Sequence, residues 1–224
     1  MTQEDVAVVS GNGWLALQPA PFRDEVLRRA LVQVHAAGTA LYHLGDPPGG
    51  IYGLIEGLMR VTAAPGAALP RLIHVGAPGL WTGEGPYMTG GPRRLTLAVA
   101  VESRVMHLPL EAMEQITAQD PKAARHFGQI PLINIDILLR IVHDLLLRDP
   151  DRRIGAVLLR VAADRRPLPL GQAELGDMAC ATRKQVSYAL GRFAGAGWVT
   201  HGYRSIAVTD VAGLRAFVAA EDEG

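Results

Sequence analysis

The sequence predicts an α+β chain built in three successive parts: an N-terminal double-stranded β-helix, or jelly roll, then a long helix, then a winged helix-turn-helix. Three observations carry this. Roughly eight short alternating runs, parted by Gly- and Pro-rich turns, fill the stretch from Leu31 to Leu108. At Pro109 the apolar spacing changes from twos to threes and fours. Between Leu170 and Val208 two short apolar helical faces are joined by only Cys180-Ala181-Thr182, with a hairpin-sized segment after them. The expected boundaries are 1–118 for the roll, 119–149 for the helix and 150–224 for the C-terminal domain.

In chain order, Phe22 to about Ala30 suits a short helix after Pro19 and Pro21. Leu31–His35 and Ala40–Leu44 alternate as strands, and Gly45-Asp46-Pro47-Pro48-Gly49-Gly50 is a turn cluster. Glu56-Gly57, between the runs starting at Ile51 and Leu58, reads as a hairpin turn. Further strands are expected at Arg71–Val75, Leu95–Val101 and Arg104–Leu108. Leu110 to about Ala118 suits a helix, and Pro121 opens a longer one, unbroken to Arg148. Its stripe is Phe127, Ile130, Ile133, Ile137, Ile141 and Leu145, widened by Leu138, Val142 and Leu146. About 25 helical residues span nearly 40 Å, so part of that stripe is expected to meet a second copy in a coiled-coil-like homodimer. Asp149-Pro150 ends this helix and caps the next, whose apolar face is Ile154, Val157, Leu158 and Val161.

The helix-turn-helix carries the chemistry. Leu175, Met178 and Ala179 form one face; Val186, Leu190 and Phe193 form the other. Thr182 is an N-cap, followed at once by Arg183 and Lys184. Two cations in a first turn oppose the helix dipole. A helix that points its N-terminus into a DNA major groove has a use for them. Charge elsewhere agrees. The chain of 224 residues is formally neutral, with 22 cations and 22 acids, yet residues 148–204 hold ten cations against five acids.

Composition excludes several classes. One cysteine rules out an internal disulfide, a thiolate iron–sulfur cluster and a structural thiolate zinc site. No run is long and apolar enough to span a membrane, and the start, MTQEDVAVVSGNG, lacks the basic and apolar regions of a signal peptide. A cytoplasmic protein is expected. No two of the seven histidines share a metal-binding spacing, so no metal is expected. Nucleophile elbow, P-loop and dinucleotide fingerprint are all missing, which argues against an enzyme, a cupin-like one included. Haem is disfavoured, because its only strand candidates, His43 and His74, are lone histidines.

The order of roll, long helix, hinge and winged helix-turn-helix resembles the cyclic-AMP receptor/FNR (Crp/Fnr) superfamily of bacterial transcription regulators. The likeness covers nearly the whole chain. It is carried by the strings Ala36–Pro48, Ile51–Val61 and Arg153–Ala162 as well as by the motif itself. The resemblance implies double-stranded DNA as partner, a homodimer reading a palindromic operator, and RNA polymerase as a further partner if the protein activates. It places Arg183 and Lys184 at base edges and nearby phosphates. Arginine suits the forked bond to guanine. Tyr188 stands where an arginine is common, and Ser187, Gln185 and Thr182 are further candidates. Gln172 and Arg204, the latter in the wing turn, are phosphate candidates.

The resemblance also implies a cyclic-nucleotide cassette in the roll, from Gly83-Glu84 to Pro92-Arg93 with Thr96 beyond. Glu84 would take a ribose hydroxyl and Arg93 a phosphate. The cassette is degenerate. Pro86 removes a backbone donor, and Arg94 and Leu95 replace small residues. A cyclic nucleotide, another small ligand (Arg94 could suit a different anion) and no ligand at all stay open; without a ligand, Glu84 and Arg93 would form a salt bridge bracing the roll. The effector is therefore unknown. Cys180 stands where such turns usually hold glycine. It reads as a buried small side chain or, more sharply, as a thiol activated by its cationic neighbours. The rival to a DNA-binding role is a ligand-binding regulatory module acting on a protein partner.

Overall fold

Pro131 decides where the long helix begins. Proline has no N–H to give the carbonyl four residues back, and its ring crowds that carbonyl, here that of Phe127. The expected single helix is accordingly two, α5 (Ala123–Phe127) and α6 (Gln129–Leu145), parted at Gly128. At 17 residues α6 spans about 25 Å, shorter than expected.

A computed structural model describes residues 1–66, 68–162, 167–203 and 205–220. They fall into two compact units, residues 1–70 with 75–137, and the C-terminal part from 138 with 71–74.

The strands of the roll lie in the first unit, except that residues 71–74 of one of them group with the second. Among the described residues the roll has eight strands, β1 (Leu31–His35), β2 (Ala40–Tyr42), β3 (Ile51–Glu56), β4 (Met59–Ala63), β5 (Arg71–Gly76), β6 (Trp81–Thr82), β7 (Thr96–Val99) and β8 (Ser103–Leu108). They form two four-stranded sheets, ordered β1-β8-β3-β6 and β2-β7-β4-β5. Glu56-Gly57 is therefore a corner passing from one sheet to the other rather than a ladder hairpin. Gly57 makes it, at φ +100°, and a Cβ there would lie 2.1 Å from Ser103 Oγ. Alternation could not distinguish the two, because a corner and a hairpin share turn chemistry.

Two elements precede the expected first helix. A helix α1 (Gln3–Gly11) is closed at its start by a capping box between Thr2 and Asp5. Asp5 is buried and pairs with Arg104. Burial alone would raise its pKa, but hydrogen bonds from Thr2 and the charge of Arg104 hold it below the usual carboxylate range. A short 3-10 turn, Trp14–Leu17, then buries Trp14. Its ring packs on Trp81, Phe22 and Phe127 with centroids 5.1–5.9 Å apart, and its Nε1 donates to the His126 carbonyl at 2.7 Å. The helices α2 (Ala20–Arg29) and α4 (Leu110–Gln119) stand near their expected places, and a short α3 (Gly85–Thr89) lies within the cassette.

The stripe on α6 divides between two tasks. Ile130 and Ile141 are buried. Leu132, Ile135, Leu139, Val142 and Leu146 are 61, 47, 61, 55 and 76% exposed, spaced three, four, three and four. That is the a/d spacing of a coiled-coil seam. Leu138 and Leu145 flank it, also exposed. The stripe expected from spacing alone mixes the two faces and leaves out Leu132, Ile135 and Leu139.

The C-terminal unit contains α7 (Pro150–Val161), α8 (Gln172–Ala179), α9 (Arg183–Gly195), β9 (Val199–Gly202), β10 (Ser205–Val208) and α10 (Val211–Ala219). Asp149 caps α7 as expected, accepting from the Asp151 amide at 2.9 Å. Val157, Leu175, Val186, Leu190, Phe193 and Leu214 make the core. The strands β9 and β10 pair antiparallel as the wing.

Candidate nucleic-acid interface

Between α8 and α9 the chain turns through Cys180, Ala181 and Thr182. Cys180 closes α8 in the left-handed region, φ 48° and ψ 51°, and among the described residues no other non-glycine has positive φ. The side chain is exposed, against the expectation of a buried sulfur. Left-handed backbone costs a β-carbon about 1 kcal/mol. Cys180→Gly should therefore stabilise the domain by about 0.5–1 kcal/mol, read as a rise in the urea midpoint with an unchanged slope. A fall in midpoint would show that the sulfur makes a compensating contact.

Thr182 then starts α9. Its hydroxyl accepts from the Gln185 amide at 3.3 Å, while Gln185 Oε1 accepts from the Thr182 amide at 2.8 Å. This reciprocal cap occupies both side chains. Thr182 and Gln185 thus hold the first turn in place, and the outward face belongs to others. Val186, Ala189, Leu190 and Phe193 are buried. On the opposite face Arg183, Lys184, Ser187 and Tyr188 are all exposed, Tyr188 by 65%. The first two lie one helical turn before the second two, so the four share one surface.

Arg183 also lines a cleft of about 620 Å³ with Gln172, Glu174, Gly202 and Tyr203. Gln172 opens α8, and Glu174 reaches back to accept from the Gly171 amide at 2.8 Å. Tyr203, on the wing turn, is 93% exposed. Sequence reasoning did not single it out; its place between two short strands was the available signal. Arg204 lies outside the described residues.

Not all of the local positive charge faces outward. Arg192 pairs with Asp151 and lies over the Phe217 ring, Arg160 bonds Asp144, and Arg153 bonds backbone carbonyls. The cation excess read from the sequence is thus partly internal, while Arg183 and Lys184 stand on the outward face of α9.

The cassette residues of the roll come together, with different partners from those expected. Arg93 is buried; its Nη1 donates to the Gly83 carbonyl at 2.7 Å and its Nη2 to the Gly50 carbonyl at 2.9 Å. Its guanidinium lies 4.1 Å from the centre of the Tyr42 ring. Gly49 and Gly83 make the room, since a Cβ on either would stand within 2.8 Å of the guanidinium. The expected Glu84–Arg93 salt bridge is not formed, because the guanidinium is taken up by main-chain oxygens. Glu84 is buried too: Asn134 Nδ2 donates to its Oε1 at 3.4 Å, and its Oε2 has no hydrogen-bond partner among the described residues. Burial pushes its pKa up. Thr96 accepts from the Leu44 amide at 3.0 Å, and Arg94 is exposed.

Known proteins share both halves of this arrangement. Residues 152–217 match the model of a Crp-like helix-turn-helix domain, and residues 32–120 that of a cyclic nucleotide-binding domain. The chain is 22% identical over 182 residues to a CRP-like cAMP-activated global transcriptional regulator of Mycobacterium tuberculosis, covering 77% of this chain and 81% of that one. FixK2 from Bradyrhizobium japonicum superposes with a TM-score of 0.71 at 19% identity, covering 86% of this chain and 98% of its own. The c-di-GMP responsive global regulator CLP of Xanthomonas campestris superposes at 0.66 and 18% identity, covering 85% and 99%. At these identities the two structures speak to fold alone.

Proposed function

The chain belongs to the Crp/Fnr superfamily of transcription regulators, and on that basis we propose that it reads a two-fold symmetric DNA site as a homodimer, with α9 as the recognition helix. It is a DNA-binding transcription regulator; a role confined to a protein partner is not favoured by its relatives. The observation that carries the finer reading is the outward quartet of Arg183, Lys184, Ser187 and Tyr188 on a helix whose other face is buried. Arginine offers the fork that matches guanine, lysine suits a phosphate, and Gln172 and Tyr203 flank the cleft where the backbone would pass. The apolar seam on α6 supplies the two-fold. Half-sites should then repeat about 34 Å apart. Selection from random DNA tests this: an inverted repeat is expected, with affinity falling steeply as salt rises. A selected motif without two-fold symmetry would contradict the homodimer reading.

The roll fits a cyclic nucleotide in part. The unpartnered Oε2 of Glu84 suits a ribose hydroxyl. Arg93 would have to exchange two carbonyl bonds for phosphate oxygens, and Pro86 offers no amide. We expect DNA binding without added nucleotide. Glu84 supplies a check. Its raised pKa means that the ionised form opposes folding, so its cost is present above the folded pKa and disappears as pH falls. Glu84→Gln should raise the melting temperature at neutral pH, with the gain shrinking toward pH 4. Equal melting temperatures at pH 7 would mean that Glu84 Oε2 is satisfied by solvent or ligand. Calorimetric titration of both proteins with cyclic AMP distinguishes these.

A further inference from the structure

Arg153, on the first turn of α7, spends its guanidinium entirely on main-chain carbonyls. Nη1 donates to Leu147 at 2.9 Å and to Arg148 at 3.0 Å, Nε to Ala179 at 2.9 Å, and Nη2 to Cys180 at 3.2 Å. The first two carbonyls belong to the chain just leaving α6. The other two belong to the end of α8 and the turn before α9. One planar fork therefore gathers the end of the seam helix and the root of the recognition helix. These are carbonyls that a helix terminus leaves without a partner. An ammonium could not replace the fork, because it lacks the spread of donors.

A second bond runs parallel to it. Two turns further along α7, Arg160 Nε donates to Asp144 Oδ2 at 3.0 Å, the side chains being 8 and 16% exposed. Asp144 stands on the last turn of α6. Hence α7 is held to the end of α6 at two separated points and to the α8–α9 turn at one. Two points fix a direction where one would allow a swivel about the Asp149–Pro150 connection. Among the described residues Arg160 Nη1 and Nη2 are buried without a hydrogen-bond partner, and Asp144 is the acid this guanidinium meets.

We propose that Arg153 and the Arg160–Asp144 pair form a latch that sets the angle at which α9 leaves the seam helix, and thereby the half-site spacing the dimer accepts. They are positioning residues for operator choice and touch no base. The proposal rests on the DNA-reading role above.

The test uses the full-length protein and its selected operator, together with versions carrying one or two base pairs added to or removed from the centre. The native protein should favour one spacing by roughly fivefold or more. Arg153→Lys keeps the charge and loses the fork. It should remain a folded dimer while its affinities across the series draw together, the best site weakening and the others holding. Asp144→Asn should flatten the series in the same way, and it stands in if Arg153→Lys does not fold. Equal loss on every spacing would assign Arg153 a purely structural part and overturn the latch, as would an unchanged preference in both variants. If the native protein binds no DNA at any spacing, the DNA-reading role itself fails; native binding with unaltered variant preference defeats the latch alone.

Discussion

Leu139→Glu should convert the protein to a monomer and reduce operator affinity by about 100-fold or more. Leu139 sits at the centre of the seam formed by Leu132, Ile135, Val142 and Leu146, and its side chain is 61% exposed in the single chain. Replacing it therefore removes little from the fold of one copy. In a dimer the same position would be buried, each such leucine contributing about 1.5–3 kcal/mol. Two-fold symmetry would bring the seam position close to its own copy, so glutamate adds two like charges to an apolar contact. A monomer holds one half-site, and binding to the second is no longer intramolecular; such linkage is commonly worth about 100-fold or more. Sedimentation velocity reads the mass, and fluorescence anisotropy with the selected operator reads the affinity. A variant that stays dimeric would place the two-fold elsewhere on the molecule.

Arg183→Ala should leave folding intact and remove base preference at one position of each half-site. Arg183 is exposed, caps nothing, and lies outside the buried face of α9. A forked arginine–guanine pair discriminates by about 1–3 kcal/mol, and a symmetric dimer makes it twice. Affinity for the best site should fall by about 30- to 20,000-fold, whereas binding to random DNA falls only slightly. Lys184→Ala provides the contrast: without its ammonium on a phosphate, all sequences should weaken alike and the salt dependence should flatten. Repeating the site selection with Arg183→Ala checks the assignment directly. An unchanged motif would move the reading role to Ser187 or Tyr188.

Much of this was legible in the residues. The roll's strands, the capped starts at Asp149 and Thr182, and the buried side of α9 follow from spacing and cap chemistry, which act over a few residues. The break before Pro131 was missed, although proline obstructs the turn behind it whatever surrounds it and was the available signal. The N-terminal helix was missed because its apolar residues make only a weak stripe; Asp5 is held by Arg104, which is distant in sequence. The roles of Thr182 and Gln185 show a different ambiguity. A residue able to bind DNA and a residue able to cap a helix carry the same polar groups, and only geometry shows which use is taken.

Local chemistry along the chain set the order of elements, their periods, and the pair of cations placed after a capping threonine. Those depend on backbone preferences and on the alternation of apolar and polar side chains, both properties of near neighbours. Packing in three dimensions settled which apolar stripe of α6 is turned outward, why Glu84 and Arg93 do not meet, and where Arg153 anchors. An apolar side chain looks the same in the sequence whether its own domain or a second copy covers it. A backbone carbonyl, the partner chosen by Arg93 and Arg153, is present at every residue and so leaves no mark in the sequence.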